Sequence, residues 1–131
     1  MAWVRKATLA MSALAMAVGG LAAATAPAAA IGGCPSGKLC LYEGKNYSDL
    51  RLTSTSTKAC FHIWGDPYHM SAVRSYVNNL AVNAVIWEYD LGWKSAGTIG
   101  PGKFSSDAGD SFGTYGAVCM GGLHPKDEIG G

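Results

Sequence analysis

Charge is scarce in this chain, and its scarcity excludes several kinds of partner. Charged residues make up 15% of the sequence, ten basic residues stand against nine acidic ones, and the formal net charge is +1. Nucleic acids and anionic membranes attract proteins that carry strongly basic surfaces. The composition therefore gives no reason to expect a nucleic-acid partner or attachment to an anionic membrane.

Long apolar runs are absent beyond residue 30, so no later segment is expected to insert into a membrane. The one long apolar run, residues 7–24, follows two basic residues and precedes three alanines at positions 28–30. A signal peptide with an A-x-A cleavage site has this layout, whereas a membrane anchor is less diluted by Ala and Gly and is followed by charges. We expect residues 1–30 to be a removed signal peptide and residues 31–131 to form one secreted domain.

Long helical periodicity is also missing, and short alternating segments separated by turn residues take its place. Sixteen of the eighteen glycines follow residue 30, and turns recur every eight to twelve residues, as is typical of antiparallel sandwiches and barrels. The tail, residues 121–131, is polar and glycine-flanked, and we expect it to be frayed. The predicted strands are 39–43, 50–53, 59–64, 73–77, 84–89, 94–99, a short one near Phe104, and 117–120.

Four cysteines remain after the predicted cleavage: Cys34, Cys40, Cys60 and Cys119. An even number in a short exported chain predicts two disulfides, and four cysteines allow three pairings. Cys34 and Cys40 flank a Pro-Ser-Gly segment in which Pro suits the second position of a type I turn and Gly the fourth. We therefore expect Cys34 to pair with Cys40 and, by elimination, Cys60 to pair with Cys119.

The two halves of the domain resemble each other. Leu41-Tyr42-Glu43 and Ile86-Trp87-Glu88 lie forty-five residues apart, and each is followed by a Gly-containing turn and a second aromatic, Tyr47 or Trp93. Two weak repeats of about forty residues predict a duplicated Greek-key unit. The expected motifs cover about 38–79 and about 83–120.

Residues 34–43, CPSGKLCLYE, resemble the opening of small exported actinobacterial proteins grouped as peptidase inhibitor family I36, which are similar to the βγ-crystallin superfamily. Tyr47 and the segments 77–79 and 85–88 extend the resemblance over most of residues 34–120. It implies an all-β, disulfide-stapled Greek-key sandwich of two motifs. For some members it also implies inhibition of secreted proteases, with a metalloprotease as the target.

One position departs from the crystallin pattern. Asp49 stands where these motifs usually carry a Gly with positive φ, at the fold of the first hairpin. Aspartate tolerates the left-handed region better than most residues do, so we expect the hairpin to form.

Metal sites are not expected. The stretch 70–75, which corresponds to the calcium motif of many βγ-crystallins, begins with Met70 and Ser71 where hard carboxylate or amide oxygens are needed, and Arg74 adds positive charge. His62, Asp66 and His69 lie within eight residues, but they span a strand end and a turn without a further pair of ligands. We interpret them as polar side chains of an ordinary loop, and we expect no cofactor.

Nothing in the sequence predicts a catalytic site. Residues 109–113 satisfy the G-x-S-x-G pattern of hydrolases, but that motif needs a following helix and a large parallel sheet. Glycines at 113 and 116 oppose a helix there, so the segment is interpreted as a loop. The protein is not expected to be an enzyme.

The expected function is a secreted, monomeric protein-binding module, and the family resemblance implies a protease inhibitor that acts through an exposed loop. Two alternatives remain open. One is a secreted effector or antimicrobial protein that binds through an aromatic patch including Trp64, Tyr68 and Trp93. The other is a stable extracellular structural protein without a specific partner.

Two loops have the chemistry of an inhibitory loop. Residues 65–71 contain Pro67, Tyr68, His69 and Met70, large side chains beside a proline that fixes φ. Residues 97–104 contain Ile99, Pro101 and Lys103 between glycines. We prefer the first loop, because Cys60 anchors its incoming strand and because it has fewer flexible glycines.

The lack of hard oxygen ligands in the calcium-motif positions generates a first prediction. The thermal unfolding midpoint should be the same in saturating Ca²⁺ and in a chelator, because neither the folded nor the unfolded protein is expected to bind Ca²⁺. Differential scanning calorimetry of the mature domain measures this. A rise of several degrees in Ca²⁺ would contradict it.

Overall fold

The computed structural model describes residues 31–109, 112 and 116–130. The predicted signal peptide, 1–30, and most of the G-x-S-x-G segment lie outside the described residues. The described strands are β1 Leu39–Tyr42, β2 Leu50–Ser54, β3 Ala59–His62, β4 Ser75–Asn78, β5 Ala84–Tyr89, β6 Trp93–Ile99, β7 Phe104–Ser105 and β8 Gly116–Met120. A 3₁₀ turn, Ile31–Gly33, precedes them, and one short helix, α1 Pro125–Glu128, follows them.

The predicted all-β class is confirmed, since each predicted strand segment corresponds to an observed strand. β5 covers the predicted residues, and the others differ by one or two residues at their ends. β4 shows the reason for such a difference: Val73 already lies in the core, but its N–H pairs with the Phe112 carbonyl, so the regular ladder begins at Ser75.

The strands form two antiparallel four-stranded sheets that share strands between the halves of the chain. Sheet one has the order β2-β1-β4-β7, and sheet two has the order β6-β5-β8-β3. Each half therefore contributes three strands to its own sheet and its third strand to the other sheet. Both sheets have the same internal order, so the sequence repeat corresponds to a repeated topology.

Both sheets also carry an irregularity at the same place. The β1–β2 register shifts between Leu41 and Tyr42, and the β5–β6 register shifts between Ile86 and Trp87. These positions are forty-five residues apart, as in the sequence repeat. Each shift is of the β-bulge type, which leaves one residue of the partner strand, Arg51 in β2 or Ala96 in β6, without a ladder partner.

The hydrophobic core lies between the sheets, and apolar residues of both halves fill it. Leu41 and Leu52 of sheet one lie in one buried cluster with Ile86 and Val118 of sheet two. Gly97 is the counterpart of Leu52 in the second half, and an added Cβ there would lie 2.5 Å from the Phe112 ring. Phe112 therefore occupies the space that the missing side chain leaves.

The two disulfides join Cys34 to Cys40 and Cys60 to Cys119. This is the predicted pairing. The first disulfide joins the segment that precedes β1 to the second residue of β1. The second joins residues that lie directly opposite each other on β3 and β8. It therefore fixes the strand that the first half contributes to sheet two.

The C-terminal tail, which the sequence predicts to be frayed, makes several contacts with sheet two. The His124 ring packs on the Trp87 ring at 4.5 Å, Pro125 is buried, and the Trp93 indole donates a hydrogen bond of 2.8 Å to the Gly130 carbonyl. These contacts hold the segment over the outer face of sheet two. Helix α1 is a single turn, and no helix among the described residues is long and apolar enough to cross a bilayer.

The position of the long disulfide generates a second prediction. Replacing Cys60 and Cys119 with serine should lower the free energy of unfolding by about 4 kcal/mol, because the bond closes a loop of about sixty residues in the unfolded chain. Replacing Cys34 and Cys40, whose loop is short, should cost about 2 kcal/mol. Urea unfolding of both double variants measures the difference, and a larger loss in the short-loop variant would contradict the prediction.

Candidate functional site

The 65–71 loop connects β3 of sheet two to β4 of sheet one, so the chain crosses between the sheets there. It is a compact turn that contains a cis Asp66–Pro67 peptide bond. The Gly65 carbonyl accepts from the N–H groups of Tyr68 and His69 at 3.0 and 2.9 Å. The Met70 N–H donates to the Ile63 carbonyl at 2.7 Å and closes the loop.

The four candidate side chains of this loop have different surroundings. Pro67 and His69 are exposed. Tyr68 is half-buried, with its ring 6.2 Å from the Phe61 ring in an edge-on contact. Met70 is 2% exposed and belongs to the core. The prediction that its side chain contacts a protease is therefore wrong. Its side chain is unavailable to a protease pocket, and it anchors the loop instead.

Arg51 fixes the loop from the neighbouring strand. It is the β2 residue that the bulge leaves without a ladder partner. Its Nη1 donates to the Tyr68 carbonyl at 3.1 Å and to the His69 carbonyl at 2.7 Å. One guanidinium therefore holds two successive carbonyls of the loop.

Two carboxylates hold the Arg51 guanidinium in turn. The Asp49 carboxylate accepts from Nε and Nη2 at 2.8 and 3.1 Å, and the Glu43 carboxylate lies 2.6 Å from Nη2. The paired donors of arginine match a carboxylate in geometry, which makes such contacts specific. Asp49 reaches this position with φ of 58°, so the expected left-handed conformation is present.

Glu43 also holds the far end of the loop. Its Oε2 accepts from the Ser71 N–H at 2.8 Å and from the Ser71 hydroxyl at 2.6 Å. These hydrogen bonds, with a smaller contribution from Arg51, lower the pKa of Glu43 below its ordinary value of 4.5. The Arg51 hydrogen bond lowers the pKa of Asp49 in the same way, and Asp49 raises the pKa of Arg51.

The second candidate loop, 97–104, is held by a different residue. The buried Asn78 donates from Nδ2 to the carbonyls of Val82, Ile99 and Gly100 at 3.0, 2.9 and 3.2 Å. Ile99 is buried, whereas Pro101 and Lys103 are exposed. Of the three residues singled out in this loop, two are therefore available for contact.

The aromatic residues proposed as one patch lie in different places. Tyr68 packs on Phe61 beside the core. Trp93 lies on the outer face of sheet two, with its ring 5.8 Å from His62 and 5.1 Å from Tyr89. Trp64 is 47% exposed. The ring contacts therefore place Tyr68 and Trp93 in separate groups.

The residues weighed as metal ligands form no cluster within the part of the chain that the structure describes. No three His, Cys, Asp or Glu side chains lie close enough there to hold an ion. His62 contacts Trp93, whereas His69 pairs with Asp66. In the calcium-motif stretch, the Ser75 hydroxyl already donates to the Gly44 carbonyl and accepts from the Tyr47 N–H.

Sequence reasoning missed Arg51, Glu43 and Asn78 as the residues that shape the loops. Two charged residues at Asp49 and Arg51, next to a bulge-prone hairpin, were a signal for Arg51. Asn78 lay in the segment that carries the family resemblance, but its partners are up to twenty-two residues away. No local pattern identifies contacts of that kind.

The fold and the loop together define a class of protein: a small β-sandwich, closed by two disulfides, that holds an exposed loop by a network of hydrogen bonds. The chain belongs to peptidase inhibitor family I36, because the family model matches residues 27–95, more than half of its length. Membership implies a peptidase inhibitor and confirms the resemblance to this family. Comparison with curated proteins and with solved structures finds no match.

The lowered pKa of Glu43 generates a third prediction. A carboxyl group whose pKa is lower in the folded state stabilises the fold above its unfolded pKa, and that contribution is lost as the pH falls through the folded value. Glu43→Gln should lower the free energy of unfolding by about 1 kcal/mol at pH 7, since both partners are partly exposed. The difference from wild type should begin to shrink as the pH falls below 4.5 and should disappear once the pH is below the lowered pKa of the folded state, where the wild-type carboxylate is protonated.

Glu88 provides the matched control, because it is the counterpart of Glu43 in the repeat and its side-chain carboxylate has no hydrogen bond or ion pair within the described residues. Urea unfolding of Glu43→Gln and Glu88→Gln across pH 2–7 compares the two. Equal pH dependence in both variants would contradict the role assigned to Glu43.

Proposed function

We propose that the protein is a secreted inhibitor of metalloproteases and that the 65–71 loop enters the protease cleft. Family membership supports the inhibitor function, and two disulfides favour an oxidising, extracellular setting. The observation that carries the choice of site is the fixation of this loop by Arg51, Glu43 and the core side chain of Met70.

Rigidity matters because a flexible loop loses conformational entropy when it binds. A loop that already has its bound conformation avoids that cost. A loop whose carbonyls and ends are held also resists the distortion that cleavage requires. The hydrogen bonds to the Tyr68, His69 and Ser71 backbone supply this restraint.

Two observations favour the 65–71 loop over the 97–104 loop. The family match ends at residue 95, so it includes the first loop and excludes the second. The first loop is also held by charged hydrogen bonds, which are stronger than the neutral bonds from Asn78. The effector hypothesis has less support, because Tyr68 and Trp93 belong to different groups of rings.

A fourth prediction tests this proposal. The mature domain should inhibit at least one metalloprotease in a panel of secreted metallo- and serine proteases. Arg51→Gln should weaken that inhibition at least about tenfold, because it releases the loop carbonyls that the guanidinium holds. Inhibition constants and unfolding midpoints are measured for both proteins, so that loss of potency is separated from loss of fold.

Lys103→Gln in the second loop is the matched control and should retain wild-type potency. Full potency in Arg51→Gln with a loss in Lys103→Gln would assign inhibition to the 97–104 loop. Absence of inhibition across the panel would contradict the proposed function.

A further inference from the structure

The protein has three histidines, and their surroundings differ sharply. The His62 ring lies against Trp93 on the outer face of sheet two. The His124 ring packs on Trp87, and its Nδ1 accepts from the Lys126 N–H at 3.1 Å. His69 alone lies on the candidate inhibitory loop, with 64% of its side chain exposed.

A carboxylate orients the His69 ring. Nε2 of His69 pairs with Oδ1 of Asp66, three residues earlier on the same loop. Within the described residues the other ring nitrogen, Nδ1, has no hydrogen-bond partner. Histidines that bind metals commonly donate one ring N–H to a carboxylate, which fixes the tautomer and leaves the other nitrogen as the ligand. The Asp66–His69 pair has this arrangement, but no group of three potential metal ligands is found among residues 31–109, 112 and 116–130.

The backbone of His69 is fixed on both sides. Its N–H donates to the Gly65 carbonyl at 2.9 Å, and its carbonyl accepts from Arg51 at 2.7 Å. The next side chain, Met70, is buried in the core. The loop therefore presents an imidazole whose backbone is held and whose ring is oriented, at a place where the described part of the chain does not complete a metal site.

We propose that His69 is a ligand for the catalytic zinc of the target protease, an inference that rests on the proposed inhibitor function. Catalytic zinc sites hold three protein ligands and keep the fourth position for water. Neutral imidazole is the form that binds zinc. Nδ1 of His69 replaces the bound water, which leaves as a neutral molecule, while the Nε2 proton stays in the bond to Asp66. The protease loses the water that it uses for hydrolysis.

The test uses the metalloprotease that the mature domain inhibits most strongly, with its zinc replaced by Co²⁺. Binding of the wild-type domain should change the visible spectrum of the Co²⁺, and binding of His69→Asn should leave the water-bound spectrum. Asparagine is chosen because His69 has φ of 50° and Asn tolerates that conformation. The inhibition constant of His69→Asn should rise at least about 30-fold, as for a central contact residue.

Two further variants separate zinc binding from a structural role. Asp66→Asn should raise the inhibition constant by about tenfold, the usual cost of losing an orienting partner. His62→Asn, on the outer face of sheet two, should leave it unchanged. Wild-type domain should also bind the protease more weakly after its zinc is removed with 1,10-phenanthroline, whereas His69→Asn should bind both forms equally.

The failures are distinguishable. If a metalloprotease is inhibited with full potency by His69→Asn, or if the wild-type domain binds the zinc-free form equally well, the zinc-ligand role is overturned and the inhibitor function stands. If only serine proteases are inhibited, both the metalloprotease target and the role of His69 are overturned. If nothing in the panel is inhibited, the proposed function fails and the inference fails with it.

Discussion

Neither half of this protein completes a sheet without a strand from the other half. β3 leaves the first half to pair with β8, and β7 leaves the second half to pair with β4. This exchange decides where the loops lie, because the chain must cross between sheets each time it enters or leaves an exchanged strand. The 65–71 loop is one of these crossings, and its position beside β2 follows from the topology.

The loop is held by charge as well as by packing. Arg51 is free to reach it because the bulge in the β1–β2 pair removes that residue from the ladder. Asp49 and Glu43 hold the Arg51 guanidinium in turn. The Arg51 hydrogen bond lowers the pKa of Asp49, whereas the hydrogen bonds from Ser71, with a smaller contribution from Arg51, lower the pKa of Glu43. The bulge in the β1–β2 hairpin thus allows Arg51 to restrain the 65–71 loop.

The sequence was sufficient to predict the strands, because alternation and turn residues are local signals. It also predicted the disulfide pairing, through the turn at residues 35–37, and the left-handed Asp49. It did not predict that Met70 is buried, because a residue next to Pro, Tyr and His in a polar turn has the composition of an exposed loop. It did not predict the contact of Arg51 with residues 68–69 or the docking of the tail on Trp93. These contacts depend on which sheet each segment joins, and that is a property of the whole chain.

The location of the long disulfide also constrains the order of events when the protein is made. Cys60 meets its partner only after a further 59 residues have been synthesised, because Cys119 lies on the last strand described. The first half of the chain therefore emerges with β3 unpaired, although the three strands that it contributes to sheet one, β1, β2 and β4, are already present. The Cys34–Cys40 bond has no such delay, since the two cysteines are only six positions apart in the sequence. The short-range bond can therefore form as soon as its segment is available, whereas the second bond requires the last described strand.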